Sequence, residues 1–587
     1  MILQALHNYY LRKQDELAPE GFEAKEIPFL LVISLSGQFL DLQDTRTPLS
    51  GKKLVGRRCL VPREEGRSGK NAWQKANLLW DHYGYVLAWP KSQSDSDEEM
   101  ATRQHGSFVE RARALANAFP ESKEIQAVYQ FLKVGQFKEV FSHPAWAECR
   151  KTPGCNLTFL VQDESGKTHA VCENDNVRAH VATSGQTDEV DEKGVEVDRE
   201  GLCLVTGETS SIARLHPRTP ILGAKSNAKI VAFQKNMGFD SYGKEQSYNA
   251  PVSKSAAFAY TTALNHMLLK DSKQKLLVGD STAVFWAEKK HDFEDVFADI
   301  FGEPAKGNPV QDYKAIVAMF RAPQTGAKPE LDPNTHFYVL GLAPNAARIA
   351  VRFWYDGTVR ETANNIYQHF EDCSIVHGPN QPETLSLFRL LVSTATQGKS
   401  ENIQPNLAGE FMRSILTGTP YPRSILSAAV RRLMAEHEIT YPRAALIKAV
   451  LSRETRYYKQ NEKEVGMALD KTNDNVGYRL GRLFAVLEKV QEEANPGINA
   501  TIRDRFYGAA SSIPVAVFSH LMKLKNHHLS KLENRGRAVN FERSIGEIVD
   551  AISGFPTHLS LPDQGRFAVG YYHQRQDFFS KKDEQQI

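Results

Sequence analysis

"YPRSILSAAVRRLMAEHEITYPRAALIKAV", residues 421–450, is where the chain changes character. Tyr421-Pro422-Arg423 and Tyr441-Pro442-Arg443 each place a proline at the head of an apolar spacing of helical period. Proline suits that position because its missing N–H is not needed in the first turn and its φ is already helical. The two triplets therefore predict two successive helices. Upstream, between Cys203 and Trp354, β-rich runs ("GLCLVTG", "AKIVAFQ", "KLLVGDSTAVFWA", "FYVLGLA", "RIAVRFWYD") alternate with helical ones ("SAAFAYTTALNHMLL", "DVFADIF", "YKAIVAMF"). After about residue 380 no strand-like run follows, and helical spacing persists to the end, broken at Pro496 and Pro514. The expected class is α+β: a mixed α/β region over 1–380, then an all-α helical bundle over 381–587.

The start fits the same scheme. Ile2, Leu3, Leu6, Tyr9 and Tyr10 share one face of a first helix, and "IPFLLVISLSGQFLDLQDT" reads as two strands joined at Ser36-Gly37. "GYVLAWP" reads as a further strand, "KSQSDSDEEMATRQ" as an acidic surface loop, and "SFVERARALANAF" as an amphipathic helix. A second acidic loop is expected around 183–201.

The 587 residues carry 72 Lys and Arg against 70 Asp and Glu, so attraction for a polyanion must come from local patches. Two are evident. Arg46 to Lys75 holds nine Lys/Arg against two Glu, and Tyr421 to Gln460 holds eight against three. The six cysteines are scattered, as in a reducing compartment. A zinc site from Cys149, Cys155, Cys172 and Cys203 lacks the close paired spacing of a knuckle. No signal peptide is read at the start, and "FLLVISL" is too short to span a bilayer. A cytoplasmic protein without membrane contact is expected.

Signatures of catalysis are missing. "GRSGKN" has neither the glycine spacing of a P-loop nor a hydroxyl after its lysine, and no G-x-S-x-G or H-E-x-x-H occurs. "HDFEDVFADIF" offers His291, Asp292, Glu294, Asp295 and Asp299 to a metal-dependent nuclease. Its Phe293, Val296, Phe297 and Ile300 form a helical stripe that leaves those acids on the watery face. His527-His528 point to different helix faces and make a poor chelate. The chain reads as non-catalytic, with no cofactor and no metal.

Binding is the better-supported chemistry. "PREEGRSGKNAWQKANLLWDH", residues 62–82, mixes Arg63, Arg67, Lys70 and Lys75 with Ser68, Gly69, Asn71, Gln74 and Asn77. Lys and Arg hold phosphates, amides read base edges, and Ser68-Gly69 lets a backbone approach closely. Trp73 is read either as a stacking wedge or as core.

A resemblance adds to this. "CLVTGETSSIARLHPRTPILG", "SYGKEQSYNAPVSKSAAFAYTTALN", "FYVLGLAPNAARIAVRFW", "MILQALHNYY", "KANLLWDHYGYVLA" and "GYRLGRLFAVLEKVQEEANPGINATIRDRFYGAASSIPVAVF" resemble the large subunit of the type I-C CRISPR surveillance complex, Cascade. The resemblance covers nearly the whole chain. It implies a non-catalytic subunit that reads the protospacer-adjacent motif (PAM) in double-stranded DNA, aids duplex opening, stabilises the R-loop and docks a helicase-nuclease. The partners implied are CRISPR RNA, target double-stranded DNA, the Cascade backbone and small subunits, and that nuclease. Guide pairing then supplies the rest of the specificity. On that view Arg63, Arg67 and Lys70 would meet phosphates, with Ser68, Gly69, Asn71, Gln74 and Asn77 near the motif's base pairs.

By the same resemblance the bundle would line the path of the separated strands. Arg423, Arg431, Arg432, Arg443, Lys448, Arg479, Arg482, Arg503, Arg505, Lys523 and Lys525 are its candidate phosphate contacts. Residues 467–587 would be small-subunit-like, with Met467 as a possible internal start. Two other functions remain open at this point, a nuclease built on 291–299 and a purely structural RNA-binding subunit.

Overall fold

A computed structural model describes every residue except 1, 51–52, 68–70, 93, 153, 185–198, 235–236, 239–240, 302–331, 347, 405, 460–462 and 580–587. Apart from its first two residues the chain forms two compact units. One comprises Leu3–Pro217 and Val231–His266, the other Arg218–Ile230 and Met267–Ile587.

The first unit is built on a mixed sheet. The hairpin expected at Ser36-Gly37 is present as Phe29–Ser34 and Phe39–Asp44, with Gly37 at the positive φ its turn demands. Phe29–Ser34 also runs parallel to Asn156–Gln162, whose other edge takes Trp80–His82 and Thr168–Ala170. Strands buried on both faces read as continuous apolar runs, and "FLLVI" and "LTFLV" are such runs. A separate two-stranded ribbon, Phe22–Ile27 with Arg57–Pro62, leads the chain into the basic loop.

Two expectations are corrected here. "GYVLAWP" is not a strand: Tyr83–Leu87 is a short helix, because the His82 ring nitrogen accepts the Gly84 N–H as a cap and only Trp80–His82 joins the sheet. The acidic stretch is not a loop, since the helix Asp95–Ala118 begins within it. Ser94 caps that helix, and Asp95, Asp97 and Glu98 sit in its first turn, where carboxylates oppose the positive end of the helix dipole. Most of the second acidic stretch lies outside the described residues.

In the second unit Lys275–Val278, Ser281–Ala287, His336–Asn345 and Arg348–Thr358 form an antiparallel sheet in that order. "AKIVAFQ" contributes no strand, only the single bridge Lys229 to Arg348, and "YKAIVAMF" lies outside the described residues. Among the described residues no strand follows Thr358. The expected helices at 421 and 441 are there as Arg423–Glu436 and Tyr441–Tyr457. The compact units do not divide near 380, however. One face of the sheet (Phe285, Phe337, Phe353) and the helices from Val359 onward share one apolar core and lie in the same compact unit.

Within the bundle, Val476–Ala494 and Leu561–Asp577 lie nearly backbone to backbone. A Cβ at Gly481 would collide with the Phe567 carbonyl, and one at Gly570 with that of Tyr478. Glycine is required at both positions for want of space.

Candidate nucleic-acid interface

The basic loop leaves the ribbon at Pro62 and enters the mixed sheet at Trp80, and a set of polar contacts braces it. At their centre is Asp81, 1% exposed. One of its oxygens accepts from Arg67 at 3.0 Å and the other from a second Arg67 nitrogen, forming a two-pronged pair. The same carboxylate accepts the N–H of Asn77 at 2.9 Å and that of His82 at 2.8 Å. Arg67 also donates to the Lys75 carbonyl at 2.6 Å and lies 4.2 Å from the Tyr85 ring centre. The Asn77 side-chain oxygen accepts the Glu65 N–H at 2.9 Å. From the neighbouring helix, Arg111 reaches the Ala76 carbonyl at 2.6 Å and Glu65 at 2.5 Å. Tyr85 donates to the Ala72 carbonyl at 3.2 Å.

This bracing reassigns two residues. Arg67 and Asn77 are engaged within the protein: Arg67 pairs with Asp81 and lies over Tyr85, and Asn77 is buried with its side-chain oxygen occupied. What faces outward is Arg63, Asn71, Gln74 and Lys75, all exposed. Ser68, Gly69 and Lys70 lie outside the described residues. Trp73 is half-buried with the Arg103 guanidinium 5.8 Å from its ring centre, whereas Trp80 is core and donates its indole N–H to Pro62. Asp81 escapes a reading of the sequence because an acid in a basic loop looks like charge dilution. The signal available is the Arg67 to Asp81 separation, which brackets the amides.

The bundle cations divide in the same way. Arg443, Lys448, Arg479 and Arg482 are buried and are corrected from phosphate contacts to internal ties. Arg443 donates to the Ser393 and Glu438 carbonyls and pairs with Glu436. Lys448 donates to the Glu371 carbonyl at 3.0 Å, and burial pulls its pKa down. Arg479 approaches the Ile548 carbonyl, and Arg482 reaches Gln574 and the Lys471 carbonyl, its pKa also lowered by burial. Helical spacing could not separate these from surface cations, because a long basic side chain can run from a buried face to a carbonyl.

Among the others, Arg432 pairs with Glu436, Arg503 lies 3.8 Å from the buried Glu488, and Arg423 pairs with Glu454 while keeping most of its side chain in solvent. Arg431, Arg505 and Lys523 are exposed and Lys525 half-buried. Lys523 and Lys525 belong to Pro514–Ser530, a helix with no acidic residue, whose outer face also carries Ser519, His520, Asn526 and His527.

The stretch considered as a potential nuclease centre is committed to structure at two positions. His291 is buried and its ring nitrogen accepts the Phe293 N–H, while Glu294 accepts from Gln274 and from the Ala287 N–H. Among the described residues no three His, Cys, Asp or Glu side chains converge on a point that could hold a metal. The four cysteines weighed as a zinc set do not converge either. Cys149 lies beside Cys155, Cys172 beside Thr158, and Cys203 accepts the Val205 and Ser253 N–H groups. No helix among the described residues is long and apolar enough to cross a membrane.

Comparison with known families gives a match to the model described as CRISPR-associated protein (Cas_Csd1), over residues 6–579. No curated protein matches the chain.

Proposed function

The chain belongs to the Cas_Csd1 family of CRISPR-associated proteins, components of Cascade, and from that premise we propose that it is the non-catalytic large subunit of a type I-C complex. In this reading the 62–82 loop recognises the protospacer-adjacent motif in duplex DNA. The bundle aids opening and lines the separated strands, and another surface docks the helicase-nuclease. CRISPR RNA and the backbone and small subunits are its partners.

The observation that carries the reading is the braced loop. A loop meant only to attract phosphates needs cations, and has no need of a buried carboxylate tying down its two ends. Reading base edges needs donors and acceptors on a fixed frame, and the Asp81 hydrogen bonds anchor the chain on either side of Asn71 and Gln74, at Arg67 and Asn77. Arg63 and Lys75 are exposed cations on either side of those amides, and Lys70 precedes Asn71 in the sequence. The commitment of His291 and Glu294 to helix capping and sheet hydrogen bonds supports a subunit without catalysis.

The test is a titration of the assembled RNA-guided complex on matched targets with and without the correct flanking motif, at two salt concentrations. Asn71→Ala with Gln74→Ala should erase most of the preference for the motif, since one base-edge pairing is worth about 1–3 kcal/mol of discrimination. Unchanged preference in that variant would overturn the assignment of the loop as reader.

The small-subunit-like role of residues 467–587 belongs to the same reading. Met467 is exposed in the connection before Val476–Ala494, and five helices follow it among the described residues. Expression of the intact gene should yield a short C-terminal product by mass spectrometry, and its absence would remove Met467 as a start.

A further inference from the structure

The helix Tyr441–Tyr457 is buried almost all round until its end, where Arg456, Tyr457, Tyr458 and Lys459 emerge in succession. Tyr457 is 53% and Tyr458 59% exposed. They are the only consecutive large aromatics left in solvent among the described residues. Their ring centres are 5.3 Å apart at 83°, edge to face, so each ring keeps open surface. Tyrosine rings placed in water without a covering side chain forgo the burial that usually accompanies so large an apolar area.

Cations and acids both surround them: Arg456 is paired with Asp372 at 2.6 Å and with Glu464 at 3.1 Å, which leaves Arg423 and Lys459 as the cations turned most fully to solvent. Arg423 opens the preceding helix and meets Glu454 at 2.7 Å, and the Glu454 carbonyl accepts the Tyr458 N–H at 3.1 Å. This brings the Arg423 guanidinium to the same end of the helix pair as the rings, within electrostatic reach of the Tyr458 hydroxyl. Lys459 adds a second exposed cation. The other acids of the 421–460 patch, Glu436 and Glu438, lie at the far end of Arg423–Glu436, about 20 Å away by the rise of a helix of that length. Of the eight cations in the patch, Arg443, Lys448 and Arg453 are buried, so its outward charge is concentrated here and at Arg431.

We propose that Tyr457 and Tyr458, with Arg423 and Lys459, form a stacking site for an unpaired base of single-stranded DNA. Rings take the face of any base and cations take the adjoining phosphates, a combination that tracks a strand without reading its sequence. Paired DNA would offer only its backbone, because its bases are already stacked. The choice of DNA rests on the reading of the chain as a duplex-opening subunit, since opening is what leaves a DNA strand unpaired beside the bundle.

The test uses the purified full-length chain and a fluorescently labelled 20-nucleotide oligo-dT, with a 20-base-pair duplex and oligo-rU as comparators. Tyr457→Ala with Tyr458→Ala should weaken oligo-dT binding about five- to a hundredfold while leaving the salt slope unchanged. Tyr457→Phe with Tyr458→Phe should bind within about twofold of wild type, because the ring and not the hydroxyl stacks. Arg423→Gln with Lys459→Gln should instead flatten the salt slope, by about 0.7 for each phosphate no longer neutralised. Oligo-dT carrying 5-iodouracil should photocrosslink to Tyr457 or Tyr458. Unchanged binding by the alanine pair, equal weakening on the duplex, or tighter binding of oligo-rU than oligo-dT that the alanine pair abolishes would each overturn the proposal. None of these results bears on motif preference, so failure here is separable from failure of the loop as reader.

Discussion

Asp81 shows how one carboxylate can organise a surface that looks basic in the sequence. It is buried, yet it accepts from Arg67 twice and from two backbone N–H groups, so its desolvation is compensated by charge-assisted hydrogen bonds. Asp81→Asn leaves the Arg67 guanidinium without its counter-charge. The expected destabilisation is at the lower end of the about 3–5 kcal/mol seen for broken buried pairs, because Arg67 keeps 21% of its side chain in water. Thermal unfolding of the variant measures it. Asn71→Ala and Gln74→Ala, at exposed positions, should stay within about 0.5 kcal/mol of wild type in the same assay. Residue types in the loop were legible in the sequence, but their division into braces and outward groups was not. Arg67 and Asn77 have the same composition signal as Arg63 and Asn71 and differ only in which side of the loop they turn to.

At the scale of elements, the sequence was most informative where periodicity and capping agreed. The Tyr-Pro-Arg helices, the Ser36-Gly37 hairpin and the strands 275–358 follow from proline placement, turn chemistry and alternation. Boundaries were misread where a cap outweighed composition, as when Ser94 and three acids start a helix in what looked like a loop. The close approach of Val476–Ala494 to Leu561–Asp577 was hidden for a different reason. Gly477, Gly481 and Gly570 look like helix-weakening residues until the two helices are seen to touch through them. Gly481→Ala must push the helices apart at the Phe567 carbonyl, against a preference of alanine for helix of about 1 kcal/mol. Overpacking of this kind costs about 1–3 kcal/mol, so a net lowering of the melting temperature is expected in denaturation of the full chain. An increase would show that the helices can separate at no cost.

Across the second unit, two imidazoles recur in equivalent surroundings. His369 sits against the Tyr421 hydroxyl at 2.8 Å and His573 against that of Tyr478 at 2.9 Å, both buried. Burial lowers their pKa from 6.5 to about 3 and about 4 respectively, with the charges of Arg453 and Lys448 acting in the same direction. Below pH 6.5 the unfolded chain takes up these protons and the folded chain does not. Stability is therefore fully present above that pH and falls as pH drops towards 4, by up to about 1.4 kcal/mol per pH unit for each histidine. Melting curves between pH 7.5 and 4.5 test this, and His573→Gln should shallow the dependence.

In the proposed function the braced loop engages closed duplex before the strands separate. The most direct measurement compares the affinity of the assembled complex for a matched closed duplex and for the same target pre-opened across the guide-complementary segment. Wild type is set against a chain carrying Arg63→Gln, Asn71→Ala, Gln74→Ala and Lys75→Gln. A weakening of at least about tenfold is expected on the closed target, the equivalent of a single good base-edge pairing, with little change on the opened one. Equal weakening on both targets, or none on either, would contradict it.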